Sequence, residues 1–189
     1  THPRSSAASD VYKRQIWYTA YNNTASANDT YNRAEASLVN FIMSGGNLFI
    51  NPIDFEDTTF TWFPLDSLVT LNPNGRLFPG TVIESPVDSN LNLSISHLIS
   101  VKVKGFWPNV SEFENVHTIY QMPVPEGNQP WSGTPTVCSI GQYRVSPIEL
   151  SGKVVIMTLP LHDGYRPKLQ GNGSAIKLFE YLLENEFTP

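Results

Sequence analysis

Apolar positions recur along this chain in two rhythms, and each rhythm predicts its own elements. "IWYTAY", Ile16 to Tyr21, is apolar or aromatic on both alternations. That suits a strand buried on both faces, as in a parallel sheet. A polar stretch, "NNTASANDT", reads as a loop. "NRAEASLVNFIMSGG" then switches to the helical period. Asn32 is a fitting N-cap, and Glu35 three residues on completes a capping box. Leu38, Phe41 and Ile42 form one apolar face. Gly45 and Gly46 stop the helix, because glycine enters the left-handed conformation without a Cβ penalty. "NLFIN", Asn47 to Asn51, is the next strand. Strand, helix and strand make a βαβ unit with an expected right-handed crossover.

From Pro52 to Gly80 the periodicity fades. A short helix is expected around Pro64 to Val69, with Phe55, Phe60, Trp62 and Phe63 covering one end of the sheet. Between Thr81 and Pro135 short strand-like runs alternate with turn signals. "SISHLISVKVKGFW" and "HTIYQM" are the clearest, and the section should be irregular and partly antiparallel. Thr136 to Ile140 predicts a strand, paired as a hairpin with Tyr143 to Val145. Lys153 to Leu159 predicts a buried strand. A last helix should start near Ser174, with Ala175, Leu178, Phe179, Leu182 and Leu183 on its apolar face.

Composition changes the picture at the amino terminus. "SSAASDVYKRQ", Ser5 to Gln15, matches in one frame the translation of a transposase adapter used in sequencing libraries. Residues 1–15 are therefore expected to be a non-native, adapter-derived segment. Residues 16–189 then form a single domain truncated at Ile16. No apolar run of about 7–15 residues marks a secretory signal within residues 1–15. Setting that segment aside removes three of the 12 basic residues and one of the 17 acidic ones, for a formal charge of −7. An acidic chain of this kind excludes nucleic acid and anionic membrane surfaces as expected partners, since both need a basic patch. No apolar run approaches the ~18 residues of a membrane span. The single cysteine, Cys138, permits neither an internal disulfide nor a cysteine-based zinc cluster. Abundant Pro, Asn, Ser and Thr favour a bacterial periplasmic, outer-membrane lipoprotein or secreted setting.

Phosphate-binding glycine patterns and the serine-hydrolase elbow are missing from the sequence. Cys138 lies in the apolar run "TVCSI" and reads as a packing group. His162 follows "KVVIMTLPL" with Asp163 beside it, at the carboxyl edge where open α/β sheets carry ligands. Asp54, Glu56 and Asp57 follow "NLFIN" at the same predicted edge, where carboxylates could hold a cation or simply be solvated. His97 and His117 have no evident partner. Trp107 and Trp131 flank proline-rich loops and would serve either as a carbohydrate platform or as core cover.

"VNFIMSGGNLFINPIDF" and "LSGKVVIMTLPLHDGYRP…AIKLFEYLLENEF" resemble the class I glutamine amidotransferase-like superfamily, closest to its divergent ThuA-like members. The resemblance implies an α/β three-layer sandwich with a mostly parallel, flavodoxin-like sheet. An irregular β-rich insertion would run from about Pro52 to Pro135. It also implies a nucleophile in the turn after "NLFI" and a glutamate two residues after the histidine. This chain has Asn51, Pro52, Ile53 and Asp54 in the turn, and Gly164 at the second position. The nucleophile, base and orienting group needed for acyl transfer are therefore not all present. The expected role is a non-catalytic binding or scaffolding domain of a bacterial envelope or secreted protein, without cofactor or metal. Its partner would be an unidentified small molecule or carbohydrate. The alternative is a ThuA-like carbohydrate-active enzyme using His162 and Asp54 with the neighbouring carboxylates.

Overall fold

A computed structural model describes residues 13–18, 24–52, 64–71, 77–95, 103–126, 131–160, 169–170 and 175–188. The strands are β1 (Arg14–Tyr18), β2 (Asn47–Asn51), β3 (Leu65–Thr70), β4 (Val82–Ile83), β5 (Leu93–Ile95), β6 (Lys104–Pro108), β7 (Glu114–Gln121), β8 (Thr136–Ser146), β9 (Glu149–Met157) and β10 (Leu169–Gln170). The helices are α1 (Thr24–Met43) and α2 (Ala175–Tyr181), the latter running into a π turn at Leu182–Glu186.

The architecture is mixed α/β. Seven strands form the main sheet in the order β1-β2-β9-β8-β6-β3, with β7 also paired to β8. β10, β5 and β4 make a small antiparallel sheet. The expectation of a mostly parallel sheet is corrected here. β1, β2 and β9 run parallel, but β8 pairs antiparallel with β9, β7 and β6, and β6 antiparallel with β3. The cause is local. β8 and β9 are joined at Pro147–Ile148, and so short a link can connect only antiparallel neighbours. Apolar runs alone do not distinguish the two pairings when both faces are covered.

Alternate residues of β2 and β9 enter opposite cores. Leu48, Ile50, Val154 and Ile156 pack with Tyr31, Leu38 and Ile42 of α1. Phe49 and Val155 pack with Leu178 and Leu182 of the carboxyl-terminal helix and with Ile83, Leu93 and Ile95 of the small sheet. Each such side chain, fully buried, contributes about 1.5–3 kcal/mol. Helix therefore covers both faces of the β2–β9 pair.

Several elements differ from the sequence expectation, each for a visible reason. α1 begins at Thr24 rather than at Asn32. Tyr31 is buried in line with Leu38 and Ile42, so the apolar face continues a turn past the capping signal. β1 starts at Arg14, pairing Arg14 with Asn47, and Ile16 is more than half exposed because β1 is the outer strand of the sheet. Residues 65–70 form a strand against β6, not a helix. β8 is continuous through Gly141 rather than broken into a hairpin. A Cβ at Gly141 would stand 3.0 Å from the Pro64 Cβ and 3.2 Å from the Val116 Cγ2, so the glycine lets a neighbouring loop close over a straight strand. Leu183 is exposed while Phe187 is buried. The Phe187 amide donates to the Leu182 carbonyl at 2.6 Å, and this π turn rotates the apolar face by one residue.

Candidate functional site

Both ends of the parallel trio carry polar groups, and they differ in what they hold. At the carboxyl edge, the predicted site residues Asp54, Glu56, Asp57, His162 and Asp163 lie outside the described residues, as do His97 and the aromatics Phe55, Phe60, Trp62 and Phe63. Asn51 and Pro52 are described, and both are buried. The Asn51 Nδ2 donates to the Met157 carbonyl at 2.6 Å and to the Leu159 carbonyl at 2.7 Å. Both N–H bonds of the amide are thus committed to the chain leaving β9. Asn51, the first residue of the turn in which the resemblance calls for a nucleophile, is a clamp that joins the exits of β2 and β9.

The amino-terminal edge holds a cleft of about 460 Å³, lined among others by Arg14, Gly45, Gln142, Lys153 and Glu186. Glu186 organises it. One carboxylate oxygen accepts from the Lys153 Nζ at 2.9 Å, and the other from the Tyr181 hydroxyl at 2.9 Å. That second oxygen also lies 3.0 Å from the His117 Nε2. Burial by itself raises the Glu186 pKa, but the bonds from Lys153 and Tyr181 and the charges of His117 and Lys153 outweigh it, so the carboxyl sits below its ordinary range. The same contacts push the Tyr181 phenol upward, burial first and the Glu186 bond next. The Arg14 guanidinium donates to the Phe187 carbonyl at 2.8 Å, and the Lys13 carbonyl accepts from the Asn47 amide at 2.6 Å. Four strands (β1, β2, β7 and β9) and the last helical turn are therefore tied at one corner, with Lys13 and Arg14 of the expected adapter-derived segment among the groups that tie it. None of this was visible in sequence, since the partners lie 69, 33 and 5 residues apart and no motif links them.

The remaining candidates resolve individually. Cys138 is fully buried, and burial pushes its thiol pKa well up, which disfavours the reactive thiolate. Trp131 is buried with its indole N–H on the Pro123 carbonyl at 3.1 Å, so it covers core. Trp107 is 40% exposed. The two tryptophans do not form a shared platform. Among the described residues no group of three or more His, Cys, Asp or Glu side chains could hold a metal ion. No described helix is long and apolar enough to cross a membrane. Comparison of the chain with family models, with curated proteins and with solved structures gives no match in any of the three.

Proposed function

We propose that the chain is a non-catalytic binding or scaffolding domain of a bacterial envelope or secreted protein, related to the amidotransferase-like superfamily with its flavodoxin-like, three-layer arrangement. The observation that carries the reading is Asn51. It is buried and doubly bonded to the Met157 and Leu159 carbonyls, and neither it nor the following Pro52, Ile53 and Asp54 supplies a thiol or hydroxyl in the elbow turn. The parallel order β1-β2-β9, with helix on both faces of β2 and β9, is compatible with the central part of such a fold. Fold alone does not fix activity, so the site chemistry decides.

The test is direct. Purified chain is assayed for ammonia release from glutamine and for hydrolysis of aryl glycosides, beside a His162→Ala variant. No turnover above the blank is expected. Turnover that disappears in His162→Ala would overturn the proposal and favour the carbohydrate-active alternative. A thermal-shift screen with mono- and oligosaccharides and divalent ions then reads out the ligand class.

A further inference from the structure

His117 sits on β7 where the pairing of that strand with β8 slips. The register shifts between Glu114 and His117. Within the slip Asn115 has φ +53°, the one non-glycine residue with a positive φ among the described residues. Asparagine tolerates the left-handed region better than most side chains. The Asn115 Nδ2 also fastens the slip, donating to the Gln142 Oε1 at 2.9 Å. Irregularities of this kind re-aim the groups around them. Here the Asn115 carbonyl oxygen comes to lie 3.3 Å from the His117 Nδ1.

The other ring nitrogen faces an acceptor as well. Nε2 lies 3.0 Å from the Glu186 oxygen that also takes the Tyr181 hydroxyl. Glu186 is ionised around neutral pH, since its carboxyl is held below the ordinary range. A carboxylate only accepts, and so does a backbone carbonyl. A neutral imidazole has one N–H and one lone pair, so it can satisfy only one of these two oxygens. With the N–H on Glu186, the Nδ1 lone pair is turned on the Asn115 carbonyl. An imidazolium has two N–H groups and satisfies both.

The other charged groups around the ring are engaged with one another. Lys153 of β9 donates to the second Glu186 oxygen at 2.9 Å. Arg144 of β8 donates twice to the Glu114 Oε1, at 3.0 and 2.6 Å. Tyr181 of α2 keeps its proton, because burial and the Glu186 bond push its phenol upward. Glu186 itself belongs to the π turn at Leu182–Glu186, and with Phe187 it lines the cleft at the amino-terminal edge. His117 thus brings β7 to the wall of that cleft.

We propose that His117 is a pH-sensitive latch: with both ring nitrogens protonated it fastens the turn at Glu186 to β7, and on losing one proton it loosens that turn and the cleft wall it forms. The loosening has two parts. The bond to Glu186 loses its charge, and Nδ1 meets the Asn115 carbonyl without a hydrogen between them. A ring that meets two acceptors in the folded chain, and water in the unfolded one, takes its proton more readily when folded. The stability it adds is therefore present in mild acid and lost as pH rises through the imidazole range. The ring is 40% exposed, so water softens the effect without cancelling it. The device does not depend on what the domain binds.

Amide hydrogen exchange at Phe187 reads the latch, because that amide closes the π turn onto the Leu182 carbonyl. Corrected for the intrinsic pH dependence of exchange, protection at Phe187 in the full chain should fall roughly threefold from about pH 5.5 to about pH 8, the size of a partly exposed charged contact. His117→Gln keeps a neutral donor of similar reach and should be flat over the same range. Glu186→Gln removes the charge that the ring answers and should be flat too. In thermal melts the wild-type chain should lead His117→Gln by about 2 °C at the lower pH and lose that lead at the higher. Comparing the two chains at each pH cancels the other histidines. A fall in protection as large in His117→Gln as in the wild type would overturn the latch. So would a wild-type chain with no fall, or a melting lead that does not change with pH.

Discussion

Gly152→Ala is the substitution whose cost the structure specifies most fully. A Cβ built on Gly152 collides with the backbone carbonyl oxygen of Gly46 and stands 2.5 Å from its carbonyl carbon and 2.8 Å from that of Gly45. These are main-chain atoms, so no rotamer change relieves the clash. Nor can the turn retreat easily. The Gly46 amide donates to the Phe41 carbonyl and the Gly45 amide to the Ile42 carbonyl, the paired bonds of a Schellman turn. On its own Cβ side Gly46 faces the Phe41 ring, with ring carbons 2.5 and 2.6 Å from the position a Cβ would take. Relief requires β9 to move away from the turn. That motion breaks the bond from the Lys153 amide to the Asn47 Oδ1, now 2.8 Å, and disturbs the pairing of Leu48 with Val154. Overpacking costs about 1–3 kcal/mol, and the lost bond about 1 kcal/mol. The expected loss is therefore about 2–4 kcal/mol, or roughly 4–16 °C in melting midpoint for a domain of this size. Gly45→Ala is the control. Gly45 has φ +90° and open space around a Cβ, so only backbone strain of about 1 kcal/mol applies. Both variants are measured by urea denaturation. If Gly152→Ala loses less than 1 kcal/mol, or no more than Gly45→Ala, the close approach of β9 to the helix-ending turn is wrong.

Glu186→Gln should cost about 1–2 kcal/mol at neutral pH, less than a fully buried pair because Lys153 and His117 can rehydrate. The folded-state Glu186 pKa is depressed, so its contribution is present above the unfolded value of about 4.3 and is lost as pH falls through the folded value. Denaturation curves of wild type and variant should therefore converge as acid carries the pH below the depressed folded value, and a gap that stays constant in acid would contradict the assignment. Tyr120→Phe should be neutral or stabilising by up to about 1 kcal/mol, because the Tyr120 hydroxyl is buried and finds no partner among the described residues. A loss above 1 kcal/mol in the same assay would show that the hydroxyl is bonded. Asn51→Ala should lose about 2–4 kcal/mol, since it leaves two buried carbonyls without their donor; an unchanged urea midpoint would remove the clamp.

What the sequence disclosed about this fold depended on whether the signal was local. β2 at Asn47–Asn51 and the stop at Gly45–Gly46 were legible because five apolar-rich residues and two adjacent glycines contain their own explanation. The length of α1 was not, because its first buried side chain, Tyr31, precedes a residue that looks like a cap. β3 was misread as a helix because its strand form depends on β6, some forty residues later, and pairing of that kind overrides local preference. The same division applies to the chemistry. The histidine and carboxylates of the expected carboxyl-edge site, His162, Asp163, Asp54, Glu56 and Asp57, fall outside the described residues. The groups that do meet, Glu186 with Lys153, His117 and Tyr181, come from the last helical turn, two strands and α2.

That division also separates the two ends of the parallel trio by what they can do. At the amino-terminal edge each named cation has an anionic or carbonyl partner in the tie, so the cleft there spends its charge on holding the carboxyl-terminal turn against β9. At the carboxyl edge Asn51 spends both of its donors on holding β2 to the exit of β9. A side chain committed in this way is poor material for turnover, because catalysis needs groups whose interactions strengthen in the transition state rather than groups already satisfied in the resting fold. The described polar groups of both edges therefore act on architecture. Asn109 differs in this respect: its carbonyl oxygen accepts three bonds, from the Ser111 amide and hydroxyl and the Glu112 amide, while its nitrogen makes no bond to a described residue. Among the described residues, chemistry at the surface of this domain is best sought where a polar atom is oriented but not spent.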